Sequence, residues 1–314
     1  MFEKKFNLDN INPSGFFGIN DLNIERIRSF FPKIRIVARG SSIKVIGDKD
    51  EIRNFEQKLH LFLEFYDKYN RLTVEDIDKI MATEDNKIEP LESKENKGVL
   101  VYGISGKPIK ARTLHQREMV KEFEKNDLVF AIGPAGTGKT YIAIALAVKA
   151  LRDRIVQRII LSRPAVEAGE RLGFLPGDYK DKLDPYLQAL YDALYDMIPA
   201  RKLEMLMADR VIQIAPLAYM RGRTLSNAVV ILDEAQNATK GQLKMFLTRM
   251  GENSKFIVTG DITQIDLPDK TQSGLRHAYE RLQNVEGISF VLFDQRDVVR
   301  HPLVKKIIAL YDDE

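Results

Sequence analysis

The segment from Gly133 to Thr140 restricts the fold of this chain more than any other part of the sequence. Its residues are Gly133, Pro134, Ala135, Gly136, Thr137, Gly138, Lys139 and Thr140. An apolar, strand-like run, Leu128–Ile132, precedes it, and a helix-forming run, Tyr141–Leu151, follows it. A glycine-rich loop that ends in Lys and a hydroxyl residue binds phosphate in this strand–loop–helix context. The segment therefore predicts a nucleotide-binding α/β domain.

Each residue type in this loop has a physical task. Glycines let main-chain N–H groups turn inward around a β-phosphate, and the following helix points its positive end at the same anion. Lys139 can reach the β- and γ-phosphates, and the Thr140 hydroxyl is placed to ligate Mg²⁺. We therefore expect all of residues 133–140 to bind the nucleotide.

A second strand-like run ends in two acids. Val229–Leu232 is followed directly by Asp233 and Glu234. We expect Asp233 to lie beside Mg²⁺ and Glu234 to polarise the water that attacks the γ-phosphate. A second carboxylate at this place favours hydrolysis over transfer to a bound acceptor, which disfavours a small-molecule kinase. No Asn-Lys-x-Asp stretch follows these acids, so guanine recognition is disfavoured as well.

A third strand-like run, Phe256–Thr259, leads into Gly260, Asp261 and Gln264. Open α/β folds bind ligands at the edge where their parallel strands end, which places these polar residues near the nucleotide. Gln264 is then in a position to sense the γ-phosphate. A turn that serves only the fold is the competing interpretation of Gly260 and Asp261.

Six strand-like runs define the fold class of the larger part of the chain. They are Leu128–Ile132, Ile159–Leu161, Val211–Ile214, Val229–Leu232, Phe256–Thr259 and Phe290–Phe293. These runs are too apolar to alternate, and strands of that kind are buried on both faces of a parallel sheet covered by helices. We therefore predict an α/β phosphate-loop domain over residues 99–314.

A polar segment separates this domain from a smaller one. Residues 82–98 have scarcely any apolar period and cannot bury enough surface to offset their ordering entropy, so we predict a linker there. In residues 1–81 the apolar spacing predicts a small α+β domain of order α-β-β-α. Its predicted elements are a helix over 21–31, strands over 34–37 and 43–46, and a helix over 48–66, with a short helix over 72–81 before the linker.

Positive charge clusters around the predicted hairpin of the small domain. Between Arg26 and Gly47 there is no carboxylate, and the basic residues are Arg26, Arg28, Lys33, Arg35, Arg39 and Lys44. Such a field attracts the phosphate backbones of nucleic acids. A solvated face without a ligand is the alternative, because surface charge runs often have only that role.

Composition limits the remaining classes. The chain has 314 residues, with 48 Lys and Arg against 45 Asp and Glu, and a net charge of +3 does not by itself indicate a nucleic-acid binder. It has no cysteine, which excludes disulfide scaffolds, thiolate zinc sites and thiol nucleophiles. The amino terminus lacks the apolar region of a signal peptide, and no stretch approaches the roughly 18 apolar residues of a membrane helix. We therefore expect a cytoplasmic protein that does not bind membranes.

Further stretches complete a family pattern. They are Ser162–Asp178, Met220–Leu225 and the closing Asp297–Val304. With the phosphate loop, the acids and the Gly260–Gln264 segment, they make the chain resemble the PhoH-like family of bacterial ATPases from about residue 106 to the end. The resemblance implies a RecA-like core related to superfamily 1 helicases, with ATP and Mg²⁺ as cofactors and Thr140 and Asp233 as metal ligands.

The same resemblance implies roles for residues outside the three motifs. Gln116 resembles the glutamine that reads adenine. Superfamily 1 motors use two cores, whereas this chain has room for one, so we expect a homo-oligomer, in the form of a ring, that supplies an arginine in trans. Candidates for that arginine are Arg163, Arg171, Arg221, Arg223 and Arg300, of which Arg300 is favoured because its position resembles that of a helicase motif VI arginine.

The amino-terminal block is similar to the KH-like region that precedes the ATPase domain in many members of the family. A Gly-x-x-Gly spacing occurs at Gly15–Gly18, but it is apolar and precedes the first predicted helix. We therefore expect the usual RNA contact to be absent or relocated to the basic hairpin.

The leading functional hypothesis is a Mg²⁺-dependent ATP hydrolase that acts on RNA as a helicase or remodelling ATPase. The alternative is a nucleotide-dependent switch that recruits a ribonuclease without unwinding. The family resemblance makes the endoribonuclease of ribosomal RNA maturation the expected partner.

Overall fold

The computed structural model describes residues 1–8, 11–83, 98–164 and 179–299. The chain divides into two units. Unit 1 comprises Met1–Ile109 with Tyr195–Met205, and unit 2 comprises Lys110–Leu194 with Leu206–Glu314. The predicted linker at 82–98 lies almost wholly outside the described residues. Unit 1 continues beyond it, so residues 99–109 and 195–205, which the sequence analysis placed in the phosphate-loop domain, belong to the smaller unit.

The part of unit 1 before the predicted linker contains a three-stranded antiparallel sheet and four helices. Its strands are β1 (Phe2–Asn7), β2 (Arg35–Arg39) and β3 (Ser42–Gly47), and its helices are α1 (Pro13–Phe17), α2 (Leu22–Phe30), α3 (Lys49–Tyr69) and α4 (Val74–Ala82). Strand β3 lies in the centre, with β1 and β2 on either side. A two-stranded sheet of β4 (Val99–Tyr102) and β5 (Pro108–Lys110) follows in the chain.

The predicted helices and strands of unit 1 are confirmed, but the predicted order α-β-β-α is incomplete because β1 and α1 were missed. Strand β1 presents almost no buried side chain, with only Phe6 partly buried, so it has no apolar pattern to detect. Its backbone pairs with β3, and Lys4 forms an ion pair of 2.7 Å with Glu56. Helix α1 is too short for a periodic signal and begins at Asn12, whose side chain accepts a hydrogen bond from the Ser14 main chain.

The Gly15–Gly18 stretch belongs to the core of unit 1. It does not precede the first helix, as the sequence analysis supposed, because it forms the body and the end of α1. Phe16 is fully buried, and its ring lies 5.7 Å from the ring of Tyr66 in an edge-to-face arrangement. The two aromatic residues between the glycines are therefore packing residues and are not available to clamp RNA.

Unit 2 is built on a six-stranded parallel sheet, which confirms the predicted α/β class. Its strands are β6 (Leu128–Ile132), β7 (Arg158–Arg163), β8 (Ile212–Pro216), β9 (Ala228–Leu232), β10 (Lys255–Gly260) and β11 (Ile288–Leu292), in the spatial order β11-β6-β10-β9-β7-β8. Every neighbouring pair runs parallel. All six predicted strand-like runs correspond to these strands.

Helices cover the sheet because both faces of its strands are apolar. The helices wholly in unit 2 are α5 (Leu114–Lys125), α6 (Lys139–Arg152), α9 (Lys240–Leu247) and α10 (Gly274–Leu282), whereas α7 (Tyr179–Met197) and α8 (Ala200–Ala208) each belong partly to unit 1. Leu128 and Phe130 pack in one cluster with residues of α9 and α10, whereas Val129, which points to the opposite face, is also fully buried. Within the described residues, no helix combines the length and the apolar character needed to cross a membrane.

The burial of Phe16 yields a stability prediction. Replacing Phe16 by Ala should lower the free energy of unfolding of unit 1 by about 3–5 kcal/mol, because a fully buried ring leaves a cavity. Phe2→Ala is the matched control, since that ring is exposed. Denaturant unfolding followed by circular dichroism measures both, and equal stabilities of the two variants would show that Phe16 is not a core residue.

Candidate active site

The site is formed where three neighbouring strands end. The glycine-rich loop follows β6, Asp233 follows β9, and β10, which lies between these two strands, ends in Thr259 and Gly260. Carboxyl ends of parallel strands meet at one edge of the sheet, so sequence segments more than 90 residues apart come together. The main-chain N–H of Gly133 donates to Gly260 O at 3.1 Å and fixes the start of the loop against β10.

The loop is shaped to present main-chain N–H groups. Gly138 has φ of +80°, and a Cβ there would lie 2.9 Å from Gln116 Nε2, so both conformation and space favour glycine. The carbonyl of Gly136 accepts a hydrogen bond from the Val299 N–H at 3.0 Å. In the described part of the chain, the N–H groups of Gly136, Thr137 and Gly138 have no partner. Free N–H groups at the start of α6 form an anion site.

Lys139 lies inside the loop, where it is about nine-tenths buried. Its ammonium group donates to Gly133 O and Pro134 O, each at 2.7 Å. Burial lowers the pKa of Lys139 below the ordinary lysine value, and the negative charge of Asp261 is the largest influence that opposes this shift. The lysine therefore donates to neutral carbonyl oxygens here. Charged phosphate oxygens would be stronger acceptors for the same ammonium group.

One carboxylate oxygen joins the three segments of the site. Asp233 Oδ1 accepts hydrogen bonds from Thr140 Oγ1 at 2.6 Å and from Thr259 Oγ1 at 2.7 Å, and the Asp233 side chain is buried. A hydroxyl and a carboxylate side by side match the oxygen ligands that Mg²⁺ prefers, so the residues fit the ion. Thr140 and Asp233 are therefore brought together as the sequence predicts.

Glu234 lies at the same edge with both carboxylate oxygens engaged. Its backbone is left-handed, with φ of +52°, two residues after the end of β9. Oε2 accepts from Gln236 Nε2 at 2.5 Å, and Oε1 lies 3.5 Å from Arg163 Nη2. Gln236 in turn accepts a hydrogen bond from the Asp261 N–H at 3.0 Å. Sequence reasoning assigned no role to Gln236.

Asp261 stabilises the turn after β10, as the structural interpretation of Gly260 and Asp261 expects. Its carboxylate also acts on Lys139. Asp261 is buried, and its Oδ1 accepts from the main chain and hydroxyl of Thr263 at 2.9 and 2.6 Å. Its other oxygen is buried without a hydrogen-bond partner among the described residues. Gln264 is exposed, and only its main chain forms a hydrogen bond here, to Asp261 O at 3.1 Å. Its role as a γ-phosphate sensor stays a prediction.

Gln116 supports the loop from outside. Its Nε2 donates to Thr137 O at 2.9 Å, while its Oε1 accepts from the main chain of Arg112 at 2.8 Å. Thr113 and Gln116 form the capping box of α5, a Thr-x-x-Gln signal that the sequence displays. Both ends of this amide have partners in the fold, and the adenine-reading role implied by the family resemblance stays a prediction.

The candidate arginines do not converge. Arg300 and Arg171 lie outside the described residues. Arg223 donates to Gln213 Oε1 at 2.8 Å, and Arg221 is exposed. Arg163 is the only one of the five that the described residues place beside a predicted catalytic group, Glu234.

The parallel sheet and the loop on it define a phosphate-loop NTPase fold. A model of the PhoH-like protein family matches residues 108–312, so this chain belongs to that family. It is 51% identical to a PhoH-like protein of Bacillus subtilis over 282 residues, which cover 90% of this chain and 88% of that protein.

Two further relatives span different shares of their own length. A PhoH-like protein of Synechocystis sp. is 46% identical over 278 residues, or 88% of this chain and 85% of that protein. The protein PhoH of Escherichia coli K12 is 48% identical over 206 residues, or 65% of this chain and 58% of that protein.

The partners of Gln116 lead to a prediction with a matched control. Gln116→Ala removes a capping box and also leaves the buried Thr137 carbonyl without its donor, whereas Gln242→Ala removes only the equivalent capping box of α9. The first variant should lose about 1–3 kcal/mol more unfolding free energy than the second, the usual cost of an unsatisfied buried group. Thermal and denaturant unfolding of the nucleotide-free protein measures the difference. A residue that only reads adenine would leave the two variants equally stable and would weaken ATP binding selectively.

Proposed function

We propose that this protein hydrolyses ATP in a Mg²⁺-dependent reaction and acts on RNA as a helicase or remodelling ATPase. The observation that carries the chemical part is the shared oxygen of Asp233, because it fixes the hydroxyl of the phosphate loop beside the acid of β9. The charges of Asp233 and Glu234 both act on the buried ammonium group of Lys139. ATP is favoured over GTP because the chain has no guanine-reading stretch.

The residues suggest a simple division of work. Thr140 and Asp233 would hold Mg²⁺, which would neutralise phosphate charge when bound. Lys139 would exchange its carbonyl partners for a γ-phosphate oxygen. Glu234 would accept the proton of the attacking water as the water oxygen bonds to the γ-phosphorus and the bond from that phosphorus to the bridging oxygen breaks. The products are ADP and inorganic phosphate.

The RNA part of the proposal is supported by a smaller surface than the sequence indicated. Four of the six basic residues of unit 1 have carboxylate partners: Arg26 with Asp78, Arg28 with Glu25, Lys33 with Glu51 and Lys44 with Glu3. Arg35 and Arg39 are exposed and have no such partner in the described part of the chain. They are the residues that we propose for phosphate contact.

Assembly and partner complete the proposal. Unit 2 contains one parallel sheet among the described residues, so a second core would come from another subunit of a homo-oligomer, in the form of a ring. The switch that recruits an rRNA-maturation endoribonuclease would use the same nucleotide site. RNA-stimulated ATP turnover with strand separation supports the motor, whereas nucleotide-dependent binding of the ribonuclease without unwinding supports the switch.

The role of Glu234 predicts a separation of binding from chemistry. Glu234→Gln keeps the shape of the side chain but loses the base, so ATP hydrolysis should fall by about 10²-fold or more while ATP still binds. Glu252→Gln, at an exposed position of unit 2, is the control and should hydrolyse ATP normally. Phosphate release and equilibrium ATP binding are measured for each. Normal hydrolysis by Glu234→Gln would remove this residue from the mechanism.

The free arginines of unit 1 predict the salt dependence of RNA binding. Binding to single strands loses about 0.7 in log affinity per unit of log salt for each phosphate neutralised. Replacing Arg35 and Arg39 by Gln should flatten that slope by one to two such increments. Lys33→Gln with Lys44→Gln removes the same charge from residues that are already paired with carboxylates, and it should change the slope less. Equal slopes for the two double variants would show that Arg35 and Arg39 do not contact RNA phosphates and that the hairpin is a solvated face without a ligand.

A further inference from the structure

Arg163, the last residue of strand β7, brings a positive charge to the acids of the site. Strands β7 and β9 are neighbours, with Ser162 paired to Leu232, and the pairing continues as the Asp233 N–H donates to Ser162 O at 2.8 Å. The next residue on each strand end brings Arg163 beside the Asp233–Glu234 pair. The left-handed backbone of Glu234 then turns its carboxylate toward the guanidinium, with Oε1 3.5 Å from Nη2.

We propose that Arg163 is a positioning residue that restrains Glu234, so that its removal speeds basal ATP hydrolysis. This inference rests on the proposed function, because it requires Glu234 to be the base. Arg163 contacts the base and, in this account, no reacting atom. The same arginine was a candidate for stabilising the γ-phosphate in trans, and the two roles predict opposite effects.

The contacts of Glu234 explain why such a restraint matters. A general base must direct a carboxylate oxygen toward the attacking water. Here one oxygen faces Arg163 and the other accepts from Gln236, which is itself fixed by the Asp261 N–H. These contacts hold the Glu234 carboxylate in place. Either the contact with Arg163 or the hydrogen bond from Gln236 must break before a carboxylate oxygen can face the attacking water.

The exposure of the pair sets the size of the effect. The side chains of Arg163 and Glu234 are 26% and 36% exposed, so solvent screens their attraction. Ion pairs of this kind are weak, so the loss of Arg163 should change the equilibrium between restrained and released Glu234 by about two- to fivefold. The Arg163–Glu234 ion pair is therefore weak enough to open in each turnover and too weak to block the site.

The charge of the site shows what the restraint balances. The charges of Asp233, Glu234 and Asp261 all act on Lys139, and Arg163 adds a second positive group beside Glu234. In this account the Arg163–Glu234 contact is the one that has to open in each turnover before Glu234 can face the attacking water.

The test compares ATP hydrolysis without RNA in the full-length chain and its variants. Arg163→Gln should raise kcat by about two- to fivefold with little change in KM. Arg163→Lys, which keeps the charge, should stay close to the unmodified protein. Arg158→Gln, an arginine at the other end of the same strand that donates to Ser226 O, is the matched control and should leave kcat unchanged.

A second measurement shows that Arg163 acts through Glu234. In the Glu234→Gln background, Arg163→Gln should change neither the residual hydrolysis nor the equilibrium affinity for ATP. A kcat for Arg163→Gln equal to or below that of Arg158→Gln would overturn the inference, and so would an effect that persists in the Glu234→Gln background. Absence of hydrolysis by the unmodified chain would instead overturn the proposed function, so the two failures are distinguishable.

Discussion

The two hydrogen bonds that Asp233 accepts through one oxygen are the interaction on which the site depends. They join the start of α6, the end of β9 and the end of β10 at distances of 2.6 and 2.7 Å. The strand order makes this possible, because β10 lies between the strand that carries the loop and the strand that carries the acid. A register shift of one residue in β9 would turn Asp233 to the opposite face of the sheet and dissolve the arrangement.

Hydrogen bonds to its carbonyls hold the loop, while the N–H groups of Gly136, Thr137 and Gly138 have no partner among the described residues. Lys139 takes the carbonyls of Gly133 and Pro134, the Val299 N–H takes that of Gly136, and Gln116 takes that of Thr137. Hydrogen bonds to these carbonyls help to fix the peptide planes of the loop. The support comes from residues on both sides of the loop in the sequence, which is how a short glycine-rich turn becomes a rigid cradle.

The sequence predicts the sheet and the motif residues well because their signals are local. The loop, Asp233 and Glu234 each sit at the end of an apolar run, and the structure has those runs as strands. What the sequence does not show is long-range pairing. The exposed strand β1 has no apolar pattern, and the carboxylates that neutralise Lys33 and Lys44 come from Glu51 and Glu3, outside the basic stretch. The contact of Arg163 with Glu234 likewise depends on strand order, which no local pattern encodes.

The most direct test of the central claim is the Mg²⁺ dependence of ATP binding in the unmodified chain and in Asp233→Asn, measured by calorimetry with Mg²⁺ and with a chelator. The amide keeps an oxygen that accepts from Thr140 and Thr259 but loses the charge that a metal requires. The account predicts that Mg²⁺ strengthens ATP binding to the unmodified chain and that the asparagine variant loses this gain while it still binds ATP without metal. An equal gain from Mg²⁺ in both proteins would contradict the assignment of Asp233 to the metal site.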